Sequence, residues 1–288
     1  MNGSVRFTFI VMLVAILTAC ATPTPDHPAH TQLATDKLAA NSAKEEVASL
    51  AKKPVFFTLP DMDQVTVANV PYKEGLTMDV YFPPGFDFSS SFPAVIFVNG
   101  IGDPGFISVW GSKFKETGQY ISWGQLAAAS GLIGINFETT DSPLVDTLDL
   151  IDFTLTNSPL LGVDKDHLCL WSASANVPVA LEVIADKEGE FQQSLSCGVA
   201  YYGFDVTGFI RLTPSNLPLL VVKAGQDNLS TNAGIDRLVA EAKLAGLPVE
   251  LIEYKEGEHA FDIKQDTDET RAIVSRTLEF MKENLTAP

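Results

Sequence analysis

Two kinds of apolar segment alternate along this chain. Short, nearly unbroken apolar runs recur at residues 93–98, 132–137, 168–171, 198–202 and 218–222, and a further strand-length stretch with two glutamates lies at 249–254. Runs of that length suit strands buried on both faces of a sheet. Helix-length segments fall between them, near 119–130, 143–156, 177–186, 231–245 and 267–285. Ahead of this alternation, residues 55–59, 65–70 and 78–82 are separated by polar turns and predict an initial antiparallel group. Strands alternating with helices predict an α/β domain: a mostly parallel central sheet with helices on both faces. No internal repeat interrupts the pattern. In such a sheet the ligand site lies off the carboxyl ends of the strands.

The first residues fall outside that pattern. Arg6 is a lone positive charge ahead of an apolar run over 7–19, too short for a comfortable bilayer span. It predicts a signal peptide over 1–19. The run ends Leu17-Thr18-Ala19-Cys20, which resembles a bacterial lipobox. That resemblance implies cleavage before Cys20, lipidation of Cys20 and attachment to the cell envelope. Ala21, where retention signals place Asp, implies the outer membrane. Residues 20–53 begin with a proline-rich stretch and continue with Ala, Lys and Glu; they predict a flexible, lipid-attached tether. The remaining 54–288, about 235 residues, suit one domain.

The formal net charge of −17 argues against a nucleic-acid partner and against electrostatic docking on anionic lipid. Membrane contact is therefore expected through Cys20 only. Of the other two cysteines, Cys169 and Cys197 each sit in an apolar run. Both are expected as packed free thiols. No Cys/His spacing suggests a metal, and nothing calls for a cofactor.

The chemistry centres on residues 168–178. An apolar run stops at Ser172-Ala173-Ser174-Ala175-Asn176, and a helix-like segment follows. This predicts strand, sharp turn and helix, with Ser174 at the apex and a helix N-terminus aimed at it. Pro178 falls in the first turn of that helix, where its missing N–H does no harm. A serine hydroxyl is a weak nucleophile until a base takes its proton. The chain holds four histidines. His27 and His30 lie in the tether, and His167 lies at the far end of its strand. His259 alone follows a strand at the correct face. Asp227, in Ala224-Gly225-Gln226-Asp227, follows another strand end.

The chain order Ser174, Asp227, His259, together with the run His259-Ala260-Phe261-Asp262, resembles the α/β-hydrolase fold, most closely its dienelactone-hydrolase-like branch. The likeness covers residues 54–285. It implies a catalytic triad of Ser174, His259 and Asp227, with Asp205 as the rival acid and Asp262 as a structural residue. It also implies an oxyanion hole from two backbone N–H groups, those of Ala175 and Ile101, the latter in the glycine-rich loop 98–105. Where the family writes Gly-x-Ser-x-Gly, this chain writes Ser172-Ala173-Ser174-Ala175-Asn176. The enzymes that name the branch use a cysteine nucleophile; a serine points to ester chemistry.

The expected function is a serine hydrolase acting on carboxylic esters or similar small-molecule acyl compounds. A peptidase on the same fold, or a catalytically silent binding protein with an altered elbow, are the alternatives. Two segments are candidate pocket walls: 106–123, rich in aromatic residues, and 204–216.

Overall fold

A computed structural model describes residues 45–286, apart from 187 and 214. The signal peptide, Cys20 and the tether up to residue 44 lie outside the described residues. The sheet has eight strands: β1 (Thr66–Lys73), β2 (Leu76–Phe82), β3 (Phe92–Phe97), β4 (Ile133–Phe137), β5 (Val163–Ala173), β6 (Leu195–Tyr201), β7 (Leu219–Ala224) and β8 (Val249–Tyr254). Their order is β1-β2-β4-β3-β5-β6-β7-β8. The β1–β2 and β2–β4 pairs are antiparallel and every other pair is parallel. The fold is the α/β-hydrolase fold, with the sheet sandwiched between helices.

The principal helices are α1 (Asp103–Trp110), α2 (Gly118–Ala129), α3 (Pro143–Thr156), α4 (Val177–Ala185), α5 (Leu229–Leu244) and α6 (Asp268–Leu285). Side chains of a strand alternate between faces, so each central strand feeds two cores. In β5, Leu168 and Leu170 enter the core beneath α3, α4 and α5, while Cys169 and Trp171 enter the core beneath α2 and α6. Residues 94–98 of the central strand region are completely buried. Burying a Val or Ile side chain contributes roughly 1.5–3 kcal/mol. The sheet is thus a rigid floor, and its carboxyl edge is where loops are free to carry chemistry.

Three expectations need correction. Residues 55–59 form no strand. Val55 N–H donates to Ser122 Oγ (3.2 Å) and Phe56 N–H to the Asp262 carbonyl (2.8 Å). The segment hides its apolar side chains by docking on α2, which removes any need for a sheet edge. Packing also begins ahead of residue 54: residues 45–51 are helical, Ala51 is buried, and a Cβ on Gly118 would lie 2.4 Å from the Lys52 carbonyl oxygen.

The third correction concerns the cysteines. Cys169 and Cys197 form a disulfide, with Cα atoms 4.7 Å apart. They are register partners on the neighbouring strands β5 and β6, and both point into the same core. Each strand alone gave a buried small residue. Only the pairing of the strands brings the two sulfurs into bonding range.

Candidate active site

Strand β5 ends at Ala173, and Ser174 turns the chain with φ of +56°. A residue with a Cβ in that left-handed region costs roughly 1–3 kcal/mol and persists only where its surroundings enforce it. The surroundings here are glycines on other segments. A Cβ on Gly203, just past β6, would lie 2.4 Å from the Ser174 carbonyl oxygen. A Cβ on Gly100, just past β3, would lie 2.5 Å from the Ala175 carbonyl oxygen and 2.5 Å from Asn176 Cα. The close approach that the familiar elbow glycines permit is thus supplied from its neighbours. Ser172 is buried and donates its hydroxyl to the Val199 carbonyl on β6 (3.1 Å).

Asn176 is buried and makes two side-chain hydrogen bonds. Its Oδ1 accepts from the Gly100 N–H (2.7 Å), and its Nδ2 donates to the Tyr120 hydroxyl (2.8 Å). The Tyr120 hydroxyl in turn donates to the Val98 carbonyl (2.9 Å). Ile101 follows Gly100 directly, so both residues expected to donate to an oxyanion lie on adjoining segments: Ala175 on the elbow, Ile101 on the loop against it.

Ser174 Oγ lies 2.8 Å from His259 Nε2, and His259 Nδ1 lies 2.5 Å from Asp227 Oδ2. The three residues come from the ends of β5, β7 and β8, far apart in sequence and adjacent in space. Asp227 accepts at Nδ1, so the imidazole carries its proton there and presents a free lone pair at Nε2. The Asp227 side chain is 4 % exposed and that of His259 is 34 % exposed. A buried acid thus holds a base that still reaches the open side of the site. Asp227 Oδ1 accepts from the Asn228 N–H (2.8 Å), and Asn228 caps α5 by accepting from the Thr231 N–H (2.9 Å).

The histidine loop rests on a buried carboxylate. Ala260 adopts φ of +62° and starts a short helix, Phe261–Lys264. Asp262 within it is fully buried. Its Oδ1 accepts from the Tyr202 hydroxyl (2.8 Å); its Oδ2 accepts from Gln119 Nε2 (2.8 Å) and Trp123 Nε1 (3.1 Å). Burial pushes this carboxyl above the ordinary range, against the pull of the three donors. The Tyr202 ring packs on His259 with centroids 4.9 Å apart. Tyr202, Gln119 and Trp123 carry no local motif, so sequence reading had no way to connect them with His259.

The remaining candidates fall elsewhere. Asp205 caps its own loop: Oδ1 accepts from the Thr207 N–H (2.8 Å) and hydroxyl (2.6 Å), and Oδ2 from the Ile210 N–H (2.9 Å). Burial raises its carboxyl, but these bonds prevail and hold it below the ordinary range. His167 pairs with Asp164 (2.9 Å) near the start of β5, at the opposite edge of the sheet. The aromatic segment 106–123 is mostly core. Phe106 stacks on Phe114 with centroids 3.7 Å apart, and Phe106, Phe114, Tyr120 and Trp123 are all buried. Among the described residues, no group of three or more His, Cys, Asp or Glu is placed to hold a metal ion.

No protein-family model matches this chain, and no curated protein matches it. Solved structures do. The chain is similar to MGS-M1, an α/β-hydrolase enzyme from a Medee basin deep-sea metagenome library, with a TM-score of 0.59 and 15 % identity over 78 % of this chain and 99 % of that one. It is similar to the native thermophilic esterase Est2 of the Planctomycetes species Thermogutta terrifontis, with a TM-score of 0.59 and 15 % identity over 78 % and 94 % of the two chains. The same esterase phosphonylated by sarin gives a TM-score of 0.60 at 15 % identity, covering 80 % of this chain and 99 % of that one. At such identities the likeness carries the architecture alone, and with the sheet order above it establishes that this chain has the α/β-hydrolase fold.

Proposed function

We propose that this protein is a serine hydrolase of small carboxylic esters, working through an acyl-enzyme. The reading rests on one observation: Ser174 Oγ, His259 Nε2, His259 Nδ1 and Asp227 Oδ2 form a continuous hydrogen-bonded line of 2.8 Å and 2.5 Å. That line is what activating a weak oxygen nucleophile requires. Ser174 Oγ attacks the ester carbonyl carbon while its proton passes to His259 Nε2. The carbonyl oxygen becomes an oxyanion and takes hydrogen bonds from the Ala175 and Ile101 N–H groups. The C–O bond to the leaving alcohol breaks, and the departing alkoxide receives the proton from His259. Water then gives a proton to His259 and attacks the acyl-Ser174, releasing the carboxylic acid and restoring the serine. Asp227 fixes the tautomer and stabilises the imidazolium.

The neighbours support the substrate class. The T. terrifontis esterase has been seen with butyrate bound and phosphorylated by paraoxon. Short acyl chains suit the present site for a further reason: Ser174 is only half-buried and Ala175 is exposed. The assignment to the dienelactone-hydrolase-like branch, with serine in place of cysteine, belongs to the same proposal. So does a lipid anchor at Cys20 that holds the enzyme on the outer membrane of a bacterial envelope, with no contact other than Cys20.

A fluorophosphonate probe tests the enzyme reading. It is expected to label the full-length protein once, at Ser174, and mass mapping locates the adduct. Absence of labelling in folded protein, together with no turnover of esters or amides, would return the chain to the binding-protein alternative. Intact mass of protein from its native membrane tests the anchor: the mature chain is expected to start at a lipid-modified Cys20.

A further inference from the structure

The Asn176 side chain does more than fill the place of a family glycine. We infer that Asn176 is a positioning residue that sets the second oxyanion donor. This inference rests on the serine-hydrolase reading and adds a part to it.

The loop that leaves β3 offers two consecutive N–H groups near the elbow, those of Gly100 and Ile101. Asn176 Oδ1 accepts the Gly100 N–H at 2.7 Å. That donor is therefore committed, and the next one, on Ile101, is left to face the reacting carbonyl. The other end of the amide is fixed as well. Nδ2 donates to the Tyr120 hydroxyl at 2.8 Å, and that hydroxyl donates to the Val98 carbonyl at 2.9 Å. The chain Gly100–Asn176–Tyr120–Val98 thus spans the loop from its first residue to its third and pins both to the residue two beyond the nucleophile. Asn176 and Tyr120 are 5 % and 1 % exposed, so water does not compete for these bonds.

Steric contact alone does not set this geometry. Gly100 lacks a side chain and lies within 2.5 Å of the elbow backbone as measured from an added Cβ. A glycine there has wide conformational freedom, and only a directional bond selects one rotation of its peptide plane. Rotation of that plane changes where the following N–H points. Oxyanion donors act only when they aim at the position the charged oxygen will occupy, so a small rotation is felt in the transition state and much less in the bound ester.

The test uses full-length protein with Asn176→Ala, Asn176→Gly and Tyr120→Phe, assayed on a short-chain nitrophenyl ester. A trifluoromethyl ketone that forms a tetrahedral adduct on serine serves as the transition-state probe. Asn176→Ala and Asn176→Gly are expected to lower kcat by about 10²-fold while KM moves by less than about threefold. Affinity for the ketone falls by the same factor as kcat/KM. Tyr120→Phe keeps the Gly100 bond and loses only its support, with about tenfold lower kcat. The inference is overturned if the variants melt as wild type does and keep kcat and ketone affinity. A gain in rate for Asn176→Gly overturns it too, because the asparagine would then be a burden on the elbow. A fall in activity with ketone affinity unchanged, or with KM rising in step, marks a structural role and counts against it. Inert wild type with unlabelled Ser174 removes the hydrolase reading itself; active wild type with unaffected variants removes only the role of Asn176.

Discussion

The serine side and the histidine side of the site are held in different ways. On the serine side, position comes from backbone crowding: Ser174 in a left-handed conformation, with Gly100 and Gly203 pressed against it. Directional bonds from one amide complete it. On the histidine side, position comes from carboxylates: Asp227 behind His259, and Asp262 beneath the loop with three side-chain donors. The difference teaches where each requirement is written. A steric requirement can be met by any residue that comes near, so the turn at Ser174 forms without glycines of its own because Gly100 and Gly203 make the room. A charge requirement belongs to one side chain at one place, so the acid and the base stay legible in the chain.

The largest effect should come from the atoms that both sides bring to the substrate. Ser174→Ala and His259→Ala are each expected to reduce kcat by about 10⁴- to 10⁶-fold, with the double variant little worse than either single, because they act as a unit. Steady-state ester hydrolysis measures this. Losses that multiply in the double variant would mean that the two residues work independently and that the 2.8 Å contact between them is incidental.

The two aspartates past β6 and β7 sharpen the comparison next. Asp227→Asn should cost on the order of 10⁴-fold in kcat through the wrong imidazole tautomer. Asp205→Asn should leave kcat within about threefold and lower stability by roughly 1–2 kcal/mol, since it weakens a loop cap. The reverse ranking in the same assay would transfer the acid role to Asp205 and leave the Asp227–His259 contact without purpose.

Much of this was readable from the residues. Apolar runs gave most of the parallel strands, since burial on both faces leaves few polar positions to confuse the period; the half-exposed β8, with Glu250 and Glu253, is the exception. The order of Ser174, Asp227 and His259 was explicit, and so was the far-end placement of His167. What stayed hidden was contact between strands and loops distant in sequence. Cys169 and Cys197 look like two separate core residues until β5 and β6 pair. Asn176 looks like a defective glycine until Gly100 and Tyr120 arrive beside it. Residues 55–59 have a strand's composition, but their partner is a helix. Helix α1 was missed because Gly102, Pro104 and Gly105 read as turn residues, whereas Pro104 sits in the first turn of a helix, where it is tolerated.

The disulfide lies beneath both sides and belongs to neither. It closes a segment with a sequence separation of 28. Loop-closure entropy for such a segment is worth about 3.6 kcal/mol. Replacing both cysteines by Ala should therefore lower unfolding stability by several kcal/mol, on the order of 3–4 from the lost cross-link alone. The kcat of the folded fraction should stay within about twofold, since neither sulfur reaches the reacting atoms. Urea unfolding and ester turnover on one preparation measure both. A large loss of kcat at full folding would show that the strand pairing under Ser174 sets the elbow, which would make the serine side as dependent on distant bonds as the histidine side.

The smallest effect is the one that separates the two sides by pH. Asp262→Asn is nearly isosteric. Turned so that its oxygen faces Gln119 and Trp123, it presents an amide N–H to the Tyr202 hydroxyl. That hydroxyl already accepts from Gln119 Nε2 at 2.7 Å. It must give up donating, and the net loss should be roughly 1–2 kcal/mol. Burial holds the Asp262 carboxyl above the ordinary range. Its protonated form is therefore favoured by folding. That contribution is fully present below the unfolded carboxyl value of about 3.9 and is lost as pH rises through the folded value. Asparagine has no such term. The stability gap between wild type and Asp262→Asn should then be widest at the acid end and narrow as pH rises towards neutrality, read from urea midpoints across that range. The gap for Asn176→Ala should stay level over the same range, because burial keeps the Tyr120 hydroxyl protonated and its asparagine partner does not titrate. An Asp262→Asn gap that widens with pH would mean that the three donors outweigh burial and hold the Asp262 carboxyl below, not above, the ordinary range.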